Sequence, residues 1–116
     1  MSILSWLPIG AVPETSAQGL AAALRRFPAP QLVDVRSPAE FASGHVAGAV
    51  NVPIGSLPAR LPDLGLDPAR PVVAICLSAI RSAPAVRILR SQGFDAAHLA
   101  GGMNAWRAAG LPEVQD

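Results

Sequence analysis

The stretch VVAICLSAIRSAPAVRIL, residues 72–89, decides how this chain folds. Val72, Val73, Ala74 and Ile75 form a continuous apolar run. Such a run suits a strand covered on both faces of a parallel sheet. A helix is predicted over residues 81–93, RSAPAVRILRSQG. Pro84 falls in its first turn, where a missing N–H does little harm, and Gly93 closes it. Between strand and helix lies a short loop that opens with Cys76, the only cysteine in the chain.

Working outward, the rest of the sequence repeats the alternation of strand and helix. Residues 16–26, SAQGLAAALRR, read as a helix with Ser16 as N-cap, stopped by Pro28 and Pro30. QLVDVR (31–36) reads as a buried strand. Ser37 and Pro38 then start a helical turn, PAEFASG, that Gly44 ends. AVNVP (49–53) reads as a short strand, and a short helix fits Leu57–Leu61 within a Pro- and Gly-rich stretch. AAHLAGG (96–102) is a strand running into a turn, and MNAWRAAG (103–110) is the last helix. The expected architecture is α/β: a central, mostly parallel sheet with helices on both faces. Ligands of such sheets gather at the carboxyl ends of the strands, where Cys76 is placed.

Composition narrows the function classes. The chain has 116 residues, which suits one domain, and 51% of them are hydrophobic. The net charge is +1, so no strong field draws in nucleic acid or an anionic membrane. All nine basic residues are arginine, which reads as a coding bias. One cysteine forms no internal disulfide, and nothing argues for an oxidising compartment. The first residues, MSILSWLPIG, are apolar but short, have no basic lead and are interrupted by Pro8. They read as an apolar arm, residues 1–11, on a domain spanning 12–116, and neither as a signal peptide nor as a membrane span. The expected location is the cytoplasm.

The loop after the strand has the makings of a nucleophile site. A lone cysteine is commonly just a small buried hydrophobe. Here, however, the backbone amides of a strand–loop–helix junction and the positive end of the helix surround one point, and a thiolate is favoured there. Leu77, Ser78, Ala79, Ile80, Arg81 and Ser82 make up the loop. Arg81 either holds an anion or braces the loop through a carbonyl or carboxylate. Ser78 and Ser82 offer hydroxyls to a sulfur anion, although Ser82 is equally a helix cap. Four residues separate Cys76 from Arg81. Cysteine phosphatases have five there, and the tighter ring suits a terminal sulfur atom better than a phosphate.

At this point the chain resembles the single-domain rhodanese-like sulfurtransferase family. LVDVRSPAEF (32–41) resembles the family's Asp-Val-Arg turn and Glu-Phe pair. FASGHVAGAVNVP (41–53), CLSAIRSAPAVRIL (76–89) and HLAGGMNAWRAAGLP (98–112) resemble its later blocks, in the family's order. The resemblance implies a rhodanese-like fold and a persulfide chemistry. Cys76 takes a sulfane sulfur from a donor such as thiosulfate and passes it to cyanide or a thiol, in a ping-pong covalent scheme. The loop amides stabilise the persulfide anion as an oxyanion hole would. No metal or organic cofactor is needed. The partners expected are this donor and acceptor, with a protein persulfide as a further donor, and neither nucleic acid nor membrane.

The remaining motif residues are read as support. Arg36 and Glu40 stand four apart and are expected to pair, bracing the strand end. Asp34 is the alternative brace, reaching Arg81. His45 and His98 are taken as hydrogen-bonded structural residues, and Trp106 as a core aromatic or a wall of the pocket. Gly101 and Gly102 are expected to supply positive φ or close packing. The loop also departs from the family pattern. Leu77 stands where a basic residue is common, Ala79 where glycine is usual and Ile80 where a polar residue is common. The rim is thus less cationic and more apolar, which weakens capture of the thiosulfate dianion. If the turn needs positive φ at Ala79, the cost is on the order of 1–2 kcal/mol relative to glycine. Those departures support a second reading, a catalytically weak rhodanese-like module that binds a partner or senses oxidants. A third, a phosphatase or arsenate reductase, is disfavoured by the spacing.

Overall fold

The computed structural model describes residues 12–116; the arm expected over 1–11 lies outside them. Five strands form one sheet: β1 (Glu14–Thr15), β2 (Gln31–Asp34), β3 (Val50–Asn51), β4 (Val72–Ile75) and β5 (Ala96–Leu99). Their spatial order is β1-β5-β4-β2-β3, and every pairing is parallel, so the expected mostly parallel sheet is wholly parallel. Strand β4 is central. It pairs with β2 through Gln31 opposite Val72 to Asp34 opposite Ile75, and with β5 through Val72 opposite Ala96. All four of its residues are buried, as its unbroken apolar run requires.

Alternation along β4 divides the core into two layers. Val72, Ala74 and Cys76 pack on one face with Val33, Ala85 and Leu89. Val73 and Ile75 pack on the other with Leu20, Leu99, Met103 and Trp106. The period of two along a strand sends successive side chains to opposite faces. Helices α3 (Leu57–Arg60) and α4 (Ser82–Ser91) cover the first face, and α1 (Ala17–Ala23) and α5 (Gly102–Ala108) the second. Among the described residues, no helix is long and apolar enough to cross a membrane.

Helix starts follow the sequence signals. The Ser16 hydroxyl accepts from the Gly19 amide at 2.9 Å, starting α1. Helix α2 (Pro38–Ser43) opens with a capping box. Ser37 Oγ accepts from the Glu40 amide at 3.2 Å, and a Glu40 carboxylate oxygen accepts from the Ser37 amide at 3.0 Å. That reciprocal pair satisfies two amides otherwise left without partners at the helix start. Strand β1, two residues long, has no sequence signature of its own; it exists through its pairing with His98 and Leu99 of β5.

Candidate active site

Cys76 directly follows the last residue of β4 and is 1% exposed. Its side chain belongs to the core layer beneath α4, the side to which Ala74 also points. The chain then leaves the sheet through Leu77–Arg81 and enters α4 at Ser82. The amides of residues 77–82 donate to no protein acceptor among the described residues; the next one, Ala83 N–H, donates to the Ala79 carbonyl at 3.3 Å. The carbonyls of the site are anchored from the other side. Met103 N–H donates to Cys76 O at 2.8 Å and Asn104 N–H to Leu77 O at 3.0 Å. Gly102 makes this approach possible: at φ +57°, a Cβ there would run into the carbonyls of Cys76 and Leu77. The positive end of α5 therefore fastens the start of the loop, as the pair of glycines predicts.

The turn itself is strained. Ala79 has φ +79°, the only non-glycine residue with positive φ among those described. L-residues avoid this region because Cβ crowds the following carbonyl. Ile80 projects from the turn, 78% exposed. Leu77 is half-buried against the layer that holds Trp106.

Arg81 is fixed by a carboxylate from another part of the chain. Its Nη1 and Nη2 donate to Glu40 Oε1 and Oε2 at 2.6 and 2.8 Å. A fork-to-fork pair of this kind is among the stronger protein ion contacts. The Arg81 hydrogen bond, more than any other contact, holds the Glu40 carboxyl at about 2, well below the usual carboxylate range. The same contact, ahead of an opposing desolvation, raises the Arg81 guanidinium above its ordinary value, and Cys76 adds to the rise. The guanidinium thus stands within electrostatic reach of the sulfur, and Glu40 keeps it there.

Two expected pairings are corrected by this geometry. Arg36 does not pair with Glu40, and Asp34 does not reach Arg81. Instead Arg36 and Asp34 pair with each other inside the protein, at 1% and 0% exposure. Arg36 Nε donates to Asp34 Oδ1 at 3.0 Å and Nη2 to Oδ2 at 2.8 Å. The Nη2 group also donates to the Gly44 carbonyl at 2.8 Å. Arg36 precedes the Ser37 cap, so the helical i, i+4 rule does not bring it to Glu40; Glu40 is turned toward its own cap and Arg81. Glu40 holds Arg81 of the loop and Asp34 holds Arg36 at the end of β2, each with the other's expected partner.

The serines and histidines also find specific places. Ser78 is exposed. Ser82, fully buried, is the first residue of α4 and not its cap. Its hydroxyl lies 3.2 Å from Ala79 O and 2.8 Å from His98 Nδ1. His98 sits on β5 with Nε2 3.5 Å from Glu14 Oε2. His45 is a hydrogen-bonded structural residue: Nδ1 meets Phe41 O at 2.7 Å and its ring stacks on Phe41 at 3.6 Å. Trp106 donates from Nε1 to Pro112 O at 2.8 Å and packs on the face opposite Cys76, so it is a core aromatic and not a wall of the site. Glu40 as the partner of Arg81 and His98 as the partner of Ser82 are the contacts that sequence spacing did not reach.

A parallel α/β domain with its one cysteine at the carboxyl end of the central strand, and an arginine-closed loop leading into a helix, defines a class of cysteine-loop domains. Within it, the family model for the rhodanese-like domain matches residues 16–109, and the chain belongs to that family. It is 46% identical over 83 residues to an HTH-type transcriptional regulator of Mycobacterium tuberculosis, covering 70% of this chain and only 36% of the regulator's length. A protein named sulfurtransferase from Allochromatium vinosum is 40% identical over 84 residues, covering 72% of this chain and 77% of that one. A rhodanese-related protein of Thermoplasma volcanium superposes with a TM-score of 0.81 at 29% identity, covering 90% of this chain and 99% of that one.

Proposed function

We propose that the protein is a rhodanese-type sulfurtransferase in which Cys76 carries the sulfur. In the first half-reaction the Cys76 thiolate attacks the outer sulfur of a donor such as thiosulfate. A Cys76 S–S bond forms, the donor's S–S bond breaks, and sulfite leaves with the electron pair. In the second, a thiolate or cyanide attacks the terminal sulfur, and the Cys76 thiolate departs. The chain has no second cysteine to resolve the persulfide, so the acceptor comes from outside.

The observation that carries this reading is the Glu40-held Arg81 beside a cysteine at the mouth of an amide loop. A fixed cation and amides that meet no acceptor among the described residues suit the negative charge of a persulfide sulfur. The sulfurtransferase relative supports the same chemistry. Donor and acceptor are a small sulfane donor and a thiol or cyanide. A protein persulfide is the alternative donor, favoured by the exposed apolar side chain of Ile80. A single thiol cycling through a persulfide suits a reducing cytoplasm.

The burial of Cys76 and the strain at Ala79 favour one competing reading, a rhodanese-like binding or redox-sensing module of low turnover. Intact-protein mass spectrometry after brief exposure to thiosulfate, with and without cyanide, separates the two. The proposal expects a one-sulfur gain that cyanide removes and that Cys76→Ala abolishes. No gain with thiosulfate and none with an organic persulfide donor, on a folded protein, would overturn it in favour of the binding module.

A further inference from the structure

The turn at Ala79 holds a conformation that L-residues avoid, so contacts elsewhere must hold it. Its carbonyl accepts from two groups of α4, the Ala83 amide at 3.3 Å and the Ser82 hydroxyl at 3.2 Å. The Ser82 hydroxyl has only one proton, yet its oxygen lies near two partners, Ala79 O and His98 Nδ1. Both contacts are satisfied together in one arrangement. The imidazole must donate from Nδ1 to Ser82 Oγ, which leaves the hydroxyl proton for Ala79 O. With the proton on Nε2, Ser82 would have to choose between the two acceptors.

The surroundings of His98 fit a ring with a single proton. The residue is 7% exposed, and burial lowers its pKa below the ordinary histidine value, partly opposed by Glu14. Glu14 competes for the proton from the Nε2 side, but across 3.5 Å and from an exposed position. The Ser82 contact is the shorter, at 2.8 Å. His98 opposite Ala74 on β4 also ties the relay to the same sheet that carries Cys76.

We propose that His98 is a positioning residue for the active loop, acting through Ser82 on the Ala79 carbonyl in a relay from imidazole N–H to hydroxyl to backbone. The relay holds the strained turn closed over Cys76. Its bearing on catalysis rests on the sulfurtransferase reading, but its structural readout does not.

The test compares His98→Leu, which fills space without a polar atom, with His98→Asn, whose side-chain amide can donate from near the Nδ1 position. The readout is the rate at which iodoacetamide alkylates Cys76 in the folded protein. Loss of one hydrogen bond of ordinary strength corresponds to about a threefold to tenfold change in loop opening. His98→Leu is expected to raise the alkylation rate by that factor, and His98→Asn to stay within about twofold of the parent protein. Nitrogen-15 spectra of the parent imidazole are expected to show the Nδ1–H tautomer. Equal alkylation rates for the two variants, or an Nε2–H tautomer, would overturn the proposal. Should His98→Leu fail to fold, Ser82→Ala takes its place: the relay stands only if that variant also raises alkylation. A parent protein that takes up no sulfur would refute the sulfurtransferase reading and leave this comparison intact.

Discussion

Glu40 and Arg81 lie 41 residues apart, and they meet through two hydrogen bonds of 2.6 and 2.8 Å. Glu40 uses the same carboxylate to close the cap of α2, at 3.0 Å from the Ser37 amide. One side chain therefore links a helix start beyond β2 to the loop that follows β4. That link sets the position of a cation within electrostatic reach of Cys76.

Glu40→Gln should slow sulfur loading of Cys76 by about tenfold, because a neutral partner holds Arg81 less firmly. Its effect on global stability should be small, about 1 kcal/mol or less, since both side chains are about a third exposed and water screens the pair. The pH dependence has a definite sign. The Glu40 carboxyl is held down to about 2, so its stabilising contribution is complete above the unfolded carboxylate value near 4.5. It fades as pH falls from there toward 2. Urea unfolding from pH 6 to pH 2 should show the parent protein and Glu40→Gln converging at the acid end.

Ala79→Gly relieves the positive φ. The gain should be about 0.5–1 kcal/mol in unfolding free energy, the backbone strain removed less the extra freedom of glycine in the unfolded chain. An unchanged or lower midpoint in urea would show that the neighbouring contacts make the turn comfortable for alanine.

Arg36→Met tests the buried pair. Asp34 would keep a carboxylate at 0% exposure without its cation, and the Gly44 carbonyl would lose a donor. The expected loss is about 3–5 kcal/mol, read by chemical denaturation. A loss below about 1 kcal/mol would mean that water reaches Asp34 and replaces the guanidinium.

Leu77→Arg adds a cation to a loop whose Arg81 is already engaged. Loading from thiosulfate should improve about threefold or more, and the gain should shrink as ionic strength rises. No improvement, or one indifferent to salt, would show that rim charge does not limit this donor.

How far the sequence led differs from place to place. The run Val72–Ile75 announced a strand covered on both sides, and burial of all four residues agrees. Ser16, Ser37 and Pro38 marked the starts of α1 and α2, because caps are local chemistry. Strand β1 was not legible: Glu14 and Thr15 have neither length nor apolar pattern, and only the edge of β5 makes them a strand. In the site, Cys76, its loop and the hazard at Ala79 were visible as a spacing and a substitution. The pairings were not. Arg36 and Glu40 have helical spacing, but the Ser37 cap falls between them, and each takes a partner set by the sheet. The contact of Ser82 with His98 spans 16 residues and two elements, and it follows from the adjacency of β4 and β5. Local patterns reveal elements; ionic partners depend on the tertiary meeting of elements.

Cys76, directly after the end of β4, is also packed in the same core layer as Ala74 and Ala85. A sulfur atom added there is new volume at the end of a filled space, and close-packed interiors feel even one added group of that size. Loading and unloading the thiol would therefore swell and relax the edge of the core with each turnover. On this account the melting temperature becomes a gauge of cargo: the charged and the empty protein should melt at different temperatures, with no reporter other than the fold itself.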